Sequence, residues 1–223
     1  MSIAKNKLQD LAFASPLVAF YLYQLIWKDI PNATSQLRFV AENGLSFLSF
    51  VQLLTVIVNV AFGGMLVSLL MFRMPPVRTI RGIGPRVLAF AGTFAALGFR
   101  KLDPSQLTLT IQIIAVLLVF IGTTLTLYAL IYLGRSFSIV PEARELVTGG
   151  PYKFVRHPVY VFEEIAIFGT ALQYHAPAST LLLMIHVALQ FTRLTFEEQV
   201  LRENFPEYES YAAKTARLLP GVY

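Results

Sequence analysis

Long apolar segments alternate with short charged segments along the chain. A membrane-spanning helix needs about 20 apolar residues, because each residue rises ~1.5 Å and the hydrocarbon layer is ~30 Å thick. Four segments before residue 134 reach or approach this length and predict spanning helices: Leu11–Trp27, Leu45–Phe72, Val87–Phe99 and Leu107–Leu133. No small-x-small cleavage pattern precedes Lys28, so the first segment is interpreted as a retained anchor. Val87–Phe99 is short, but the long basic side chains that flank it can extend to the interface.

The last third of the chain has a different pattern. Two apolar stretches, Val159–Leu172 and Ser179–Phe191, flank a polar turn that contains Pro177. This pattern predicts a helical hairpin, followed by a tail helix that Phe205, Tyr208 and Tyr211 pack against the interface. The predicted fold is therefore an all-α, polytopic integral membrane bundle with about four spans, a C-terminal hairpin and a cytoplasmic tail helix. Residues 1–133 supply the N-terminal helices, and residues 134–223 complete one integrated domain.

Composition supports a membrane protein and excludes some chemistry. The sequence is 56% hydrophobic and only 14% charged, whereas soluble domains are about one quarter charged. Without cysteine, disulfides and thiolate catalysis are excluded. The three histidines have no paired metal-binding spacing, so no metal site is predicted.

The distribution of positive charge predicts an orientation. With the N-terminus, 73–86, 134–158 and the tail after 192 on one side, that side holds fourteen of the 18 lysines and arginines. The other side keeps Lys28, Arg38, Arg100 and Lys101. The positive-inside rule assigns the crowded side to the cytoplasm. The net charge of +5 is thus interpreted as a topology signal, and no nucleic-acid partner is predicted.

The segment Thr148–Tyr160 is the strongest local signal, with the sequence T-G-G-P-Y-K-F-V-R-H-P-V-Y. Its glycines permit close approach of the backbone to a ligand. Pro158 suits the first turn of a helix, whose free amides would attract an anion near His157. Tyr152 and Tyr160 offer aromatic faces for an adenine ring or a cation. The pattern indicates a ligand site at the membrane edge.

A second polar segment follows the hairpin. Arg193 and Glu197 are four residues apart, so they share one face of a helix. Glu163 and Glu164 lie at the start of the preceding apolar helix. Ionisable groups at the membrane edge are candidates for function. The predicted topology brings both segments to the cytoplasmic face.

Together, these two segments resemble the isoprenylcysteine carboxyl methyltransferase and phospholipid methyltransferase superfamily over roughly residues 134–223. The resemblance implies an integral membrane enzyme that uses S-adenosylmethionine. It implies that Arg193 contacts the methyl acceptor and that Glu197 contacts the cofactor. The other cofactor contacts that it implies are Arg144, Glu145, Leu146, Val147, Tyr152, His157, Pro158, Val159 and Tyr160. The chain has Phe162 where the family usually has glycine, which affects the expected shape of the pocket.

The chemistry of the acceptor leaves three interpretations. The first is carboxyl O-methylation of an isoprenylcysteine-like molecule, in which Arg193 orients a carboxylate that is already ionised. The second is N-methylation of a phospholipid head group, which needs a base such as Glu163 or Glu164. Arg193 and Glu164 are the catalytic candidates, and the substrate is expected to enter from the membrane lipids. The third is a non-catalytic membrane-binding or carrier protein.

Overall fold

The computed structural model describes the backbone of residues 2–221 and the side chains of residues 10–221. Lys5 and Lys7, which contribute to the predicted orientation, lie outside the described side chains. The described elements are α1 (Ser2–Gln24), α2 (Ile30–Asn43), α3 (Phe47–Phe72), β1 (Arg78–Thr79), α4 (Gly84–Ala95), α5 (Leu109–Leu133), β2 (Glu142–Ala143), α6 (Pro158–Ala171), α7 (Ala178–Asn204) and α8 (Tyr208–Ala212). The predicted all-α membrane bundle is confirmed.

The first helix is longer than its apolar segment. A π-helical turn over Leu25–Asp29 joins α1 to α2, so that one helical rod continues to Asn43. Pro31 has no N–H to donate to the carbonyl of Trp27, which favours a local departure from α-helical bonding. The prediction ended this span at Trp27 because the sequence becomes polar there. The rod continues because α2 packs against α3, where Gln36 Nε2 donates to Gln52 Oε1 at 3.2 Å.

Four helices in the described part of the chain are long and apolar enough to cross a membrane. They are Asp10–Asn43, Phe47–Phe72, Leu109–Ser136 and Ala178–Asn204. The segment predicted as a span over 87–99 forms α4, of 12 residues, and a 3-10 turn over Ala96–Lys101. It packs against α7 and connects β1, which pairs with β2, to the segment before α5, which bonds to the turn between α6 and α7.

The predicted hairpin is present, with α6 and α7 joined by a turn at 172–177. This turn bonds to the segment that precedes α5, because Ser105 N donates to Gln173 O at 2.9 Å and His175 N donates to Asp103 O at 3.2 Å. The hairpin is therefore fixed at one end of the bundle. The opposite end carries the loop of the first motif.

Two glycines allow α5 and α6 to cross at very short distance. A Cβ on Gly122 would lie 2.8 Å from Phe162 O and 2.9 Å from Ala166 Cα. A Cβ on Gly169 would lie 2.7 Å from Ala115 O. Small residues at a helix crossing let the backbones of membrane helices approach closely. This crossing fixes α6, which carries part of the first motif, against the long α5 span.

Replacing Gly122 with alanine should destabilise the protein by about 1–3 kcal/mol, because the new methyl group meets backbone atoms that cannot rotate away. The matched control is Gly64→Ala in α3, where a Cβ meets nothing within 4 Å. The apparent unfolding midpoint in detergent measures both variants. Equal midpoints for the two variants would show that the crossing tolerates a wider spacing.

A buried ion-pair group gathers the loops at the motif end. The guanidinium groups of Arg73 and Arg144 contact Asp10 Oδ1 at 2.9 and 3.0 Å, and Arg144 also contacts Glu142 Oε2 at 2.6 Å. The strands β1 and β2 pair antiparallel beside this group, with Arg78 opposite Ala143. The start of the first helix rod is thus tied to the loops before and after α5.

Candidate active site

The loop between α5 and α6 depends on a glycine turn. Gly150 has φ +57°, and a Cβ there would overlap the ring of Tyr132 in the last turn of α5. Only glycine adopts this conformation without strain and also leaves room for the ring. The turn leads into a short 3-10 helix over Gly150–Lys153, which buries Tyr152 beneath the loop. Of the two glycines in the motif, Gly150 is therefore the one that the loop conformation requires.

Replacing Gly150 with alanine should shift Tyr132 or the loop and displace Tyr152, with a stability loss of about 1–3 kcal/mol for each strained feature. Gly149→Ala is the matched control, since Gly149 has φ −88° and its nearest contact is Tyr132 Cδ1 at 3.9 Å. Unfolding midpoints and affinity for S-adenosylmethionine are the measurements. Similar losses in both variants would contradict the special role of Gly150.

The helix α6 begins at Pro158, as the motif predicts, with His157 as its N-cap residue. The His157 side chain makes no capping bond, and its Nε2 atom lies 3.2 Å from Glu198 Oε1. Arg156 Nε donates to the same oxygen at 2.9 Å. The anion that meets these two side chains is therefore a carboxylate of the protein itself, supplied by α7.

Glu198 lies at the centre of a buried charge network and is 1% exposed. Besides Arg156 and His157, its Oε2 atom is contacted by Arg217 Nη2 at 3.2 Å and by Arg202 Nη2 at 3.3 Å. One carboxylate thus connects the first motif, α7 and the C-terminal segment. Removing it would leave the half-buried guanidinium groups of Arg156 and Arg217 without this carboxylate as partner.

The C-terminal segment is fastened directly to the first motif. Arg156 Nη1 donates to the carbonyls of Ala212 and Thr215 at 2.7 and 2.9 Å. Tyr211 Oη donates to Tyr152 O at 2.7 Å. The backbone amide of Arg156 also donates to Ala216 O at 2.8 Å. The tail therefore holds the motif loop in place at the end of the bundle.

Arg193 lies one helical turn before Glu197 and is buried. Its Nη1 atom donates to Thr93 Oγ1 at 3.1 Å, and its Nε atom lies 3.4 Å from Glu197 Oε1. The guanidinium carbon is 5.3 Å from the centre of the Tyr160 ring, within the range of a cation–π interaction. Tyr160 Oη donates to Glu197 Oε1. The structure thus brings residues of both motifs into one cluster.

A cavity of about 450 Å³ runs from this motif end into the bundle. Nine of the twelve predicted site residues line it: Glu145, Leu146, Val147, Tyr152, His157, Val159, Tyr160, Arg193 and Glu197. Glu145 is exposed and marks the end that opens to the aqueous side. Beyond Arg193 the cavity continues between apolar walls formed by α1, α3, α4, α5 and α6. The arrangement suits a ligand with a polar end and an apolar end.

The other three predicted site residues lie outside the cavity lining. Arg144 is held by Asp10 and Glu142 in the ion-pair group described above. Pro158 is fully buried at the start of α6. Glu164 Oε1 lies 2.9 Å from His186 Nδ1, whereas its neighbour Glu163 lines the cavity. The carboxylate that faces the cavity from this pair is Glu163.

Tyr152 presents a hydrogen-bond donor that no described residue uses. Its Oη atom is buried and lacks a partner within the described residues. Burial, with a smaller contribution from the Glu197 carboxylate, raises the pKa of Tyr152, so the phenol is protonated at neutral pH. A buried donor without an acceptor is unfavourable unless a ligand or water supplies one. Tyr152 is therefore suited to contact a polar ligand group in the cavity.

Glu198, Arg156 and Arg217 form a structural network that was not predicted from the sequence. Arg156 belongs to the first motif, and Arg217 is one of two basic residues after 204, where there are also two acidic residues. Composition therefore gave no signal for the network. Only the fold reveals that one buried glutamate collects them. Thr93, which orients Arg193, gave no signal because it lies in an apolar segment far along the chain.

Among the residues that the structure describes, no group of three or more His, Cys, Asp or Glu side chains is arranged to hold a metal ion. The polar groups of the cavity instead include carboxylates, phenols and the guanidinium groups of Arg100, Arg156 and Arg193. They are suited to organic ligands with hydroxyl, amino or carboxylate groups.

Residues 110–208 match the model of the phospholipid methyltransferase family. The nickel-cobalt-cadmium resistance protein NccN of Alcaligenes xylosoxydans xylosoxydans is 29% identical over 127 residues, which cover 56% of this chain and 57% of that protein. The cobalt-zinc-cadmium resistance protein CzcN of Cupriavidus metallidurans is 32% identical over 120 residues, which cover 53% of this chain and 51% of that protein.

A further relative is a probable protein-S-isoprenylcysteine O-methyltransferase of Oryza sativa subsp. indica. It is 32% identical over 119 residues, which cover 50% of this chain and 62% of that protein. The chain thus spans between 51 and 62% of the length of these three relatives. The matched family region contains the loop, the hairpin and both motifs.

Proposed function

We propose that this chain is a member of the isoprenylcysteine carboxyl methyltransferase and phospholipid methyltransferase superfamily, whose phospholipid methyltransferase model matches residues 110–208, and that it methylates a lipophilic acceptor within the membrane. The acceptor that the site favours is an isoprenylcysteine-like carboxylate. The observation that carries this proposal is the position of Arg193. Its buried guanidinium lies where the polar end of the cavity meets the apolar part.

The polar end of the cavity fits S-adenosylmethionine, which would supply the reactive methyl group. Tyr152 has an unused buried donor, and Glu197 offers a carboxylate that accepts from hydroxyl or amino groups. His157 lines the same end, where Glu198 fixes its ring. We assign these three side chains to holding the cofactor. The tail, through Tyr211 and Arg156, keeps the loop in position around it.

The acceptor carboxylate would bind at Arg193. A carboxylate is ionised at neutral pH, so this reaction needs orientation and exclusion of water but no base. Arg193 is held in place by Thr93 and by the Tyr160 ring. Its Nε atom is buried and makes no hydrogen bond to a described residue, although Glu197 lies within ion-pair distance. The guanidinium can therefore accept a further anionic partner with a planar fork of donors.

A specific observation favours N-methylation as the second candidate. Glu163 lines the cavity, where a base for an amine acceptor is needed, and Gln190 Nε2 donates to it at 2.9 Å. The Glu197 carboxylate also compensates the positive charge of Arg193, which would otherwise repel the ammonium form of an amine acceptor. Under this mechanism, Glu163 accepts the proton that the ammonium group must lose.

The test uses the purified protein in detergent with methyl-labelled S-adenosylmethionine. An N-acetylated S-prenyl cysteine and an aminophospholipid are offered as separate acceptors. The expected result is a base-labile methyl ester on the cysteine derivative. Label in the phospholipid alone would favour the second candidate. Absence of both cofactor binding and methyl transfer would overturn the proposal in favour of a non-catalytic protein, such as a carrier.

We also propose that the motif end of the bundle faces the cytoplasm. Of the lysines and arginines whose side chains the structure describes, all except Lys28, Arg38, Arg100 and Lys101 belong to the segments at this end, and the positive-inside rule assigns such an end to the cytoplasm. A reporter that works only in the cytoplasm should be active when it is fused after residue 221 and inactive when it is inserted in the turn at 172–177. A reporter that works only on the opposite side should show the reverse pattern. Reversed activities would overturn the orientation.

A further inference from the structure

The cavity has a second polar region, at the end opposite to the motifs. It is lined there by Gln24, Asp29, Asn59 and Arg100, which come from four different segments of the fold. Between this region and Arg193 the wall is formed mainly by Phe62, Leu66, Phe94, Leu97, Val119 and Ile167. The cavity is therefore polar at both ends and apolar in the middle. We call the four polar residues the distal cluster.

The backbone is shaped to place Asp29 in the cavity. Asp29 is the last residue of the π-helical turn between α1 and α2, and such turns are frequent at functional sites because they redirect side chains. The carboxylate packs beside Gly63 on α3, since a Cβ on Gly63 would lie at van der Waals distance, 3.4 Å, from Asp29 Oδ2. Asp29 therefore lies where an irregular turn of the helix rod meets α3 at the cavity.

The distal cluster is not explained by pairing within the protein. Among the described residues, Asp29 and Arg100 form no direct ion pair, and the side chains of Gln24 and Asn59 make no hydrogen bond to another described residue. Arg100 is exposed and the other three residues are half-buried, so this end of the cavity is open and its hydrogen-bonding groups are available to a ligand. A ligand with a polar terminus would bond to them.

We propose that the distal cluster binds the far end of the acceptor, and that the acceptor is an amphiphile with a polar group at each end of an apolar chain. This inference rests on the proposed methyltransferase function. The reacting end lies at Arg193, and a hydroxyl or ammonium group at the other end bonds to Asp29. Tyr160 lies beside Arg193, and Thr170, ten residues further along α6, lines the cavity next to the turn at 172–177. The chain between the two polar ends is therefore about 15 Å long.

The experiment uses S-alkyl N-acetylcysteines whose straight chains are about 15 Å long. The chains end in a methyl, a hydroxyl or an ammonium group, and a short-chain acceptor that cannot reach the distal cluster is included. Binding is measured by thermal stabilisation of the purified protein, and methyl transfer is measured separately. The wild type should bind the polar-ended chains about tenfold more tightly than the methyl-ended chain, as expected for a hydrogen bond to a charged group.

Asp29→Leu should remove this preference and leave the short-chain acceptor unaffected. Gly63→Leu should exclude all the long chains, because its side chain would occupy the space beside Asp29. Gly64→Leu is the matched control, since a Cβ on Gly64 meets nothing within 4 Å. The same preference in the wild type and in Asp29→Leu, or no preference in the wild type, overturns the distal site. Discrimination in binding without any methyl transfer supports the distal site and overturns the proposed function alone.

Discussion

Arg193→Ala is expected to lower methylation of a lipidated carboxylate by about 10²–10³-fold, which is the usual effect of removing one buried donor that stabilises a reacting anion. Affinity for S-adenosylmethionine should remain within a few-fold of the wild type, because the cofactor contacts assigned above come from other side chains. The physical reason is the burial of the guanidinium, which strengthens its bond to a carboxylate. Calorimetry and methyl-transfer rates are the paired measurements.

Arg193→Lys should restore little of this loss. Lysine has no planar fork of donors, and its ammonium group cannot contact Thr93 and a carboxylate in the same geometry. Arg202→Ala is the control on the same helix, since the Arg202 side chain is 44% exposed. Normal carboxylate methylation by Arg193→Ala would reject the role of Arg193. A loss confined to the aminophospholipid would favour N-methylation.

Hydrophobic segments predicted the bundle because lipid imposes a strong and simple constraint. Every spanning segment must be apolar and must satisfy its own backbone, so helices follow from composition and length. The hairpin was predicted for the same reason, since Pro177 and its polar neighbours interrupt an apolar region. The segment 87–99 shows the limit of this reasoning. It forms no single long helix, but a short helix α4 and a 3-10 turn that pack on α7.

The sequence could not show which of the adjacent residues Glu163 and Glu164 faces the cavity. Consecutive helix residues point about 100° apart, so only one member of a pair faces a given cavity. Glu163 lines the cavity, whereas Glu164 contacts His186. The orientation depends on how α6 packs against α5 and α7. This packing is set by Gly122 and Gly169, which lie in uniformly apolar segments and gave no signal in a single sequence.

The effect of Phe162 on the cavity also depends on how α6 is oriented. The resemblance suggested that its bulk would alter the pocket, because the family usually has glycine there. In the structure Phe162 does not belong to the cavity lining, and its carbonyl instead meets the α5 backbone at Gly122. The close approach of α5 and α6 is therefore provided by Gly122 and Gly169.

The adjacent pair Glu197 and Glu198 gives a prediction in which two similar changes have different effects. Glu198→Gln should destabilise the protein by about 3–5 kcal/mol, the usual range when one partner of a buried ion pair is removed. For a chain of this size, that loss corresponds to a midpoint lower by roughly 6–20 °C. Arg156, His157 and Arg217 would lose the charge that holds them together. The tail should then be cleaved faster by protease.

Glu197→Gln should behave in the opposite way, since Glu197 contacts Tyr160 and Arg193 at the cavity and none of the tail cations. Its unfolding midpoint and protease resistance should match the wild type, while its affinity for S-adenosylmethionine falls. Unfolding midpoints, limited proteolysis and calorimetry on both variants separate the two roles. If Glu198→Gln keeps its tail protected and its midpoint unchanged, the charge network is not what fixes the motif loop. If Glu197→Gln keeps full affinity, the cofactor does not contact this carboxylate, and Tyr152 and His157 remain as the assigned contacts.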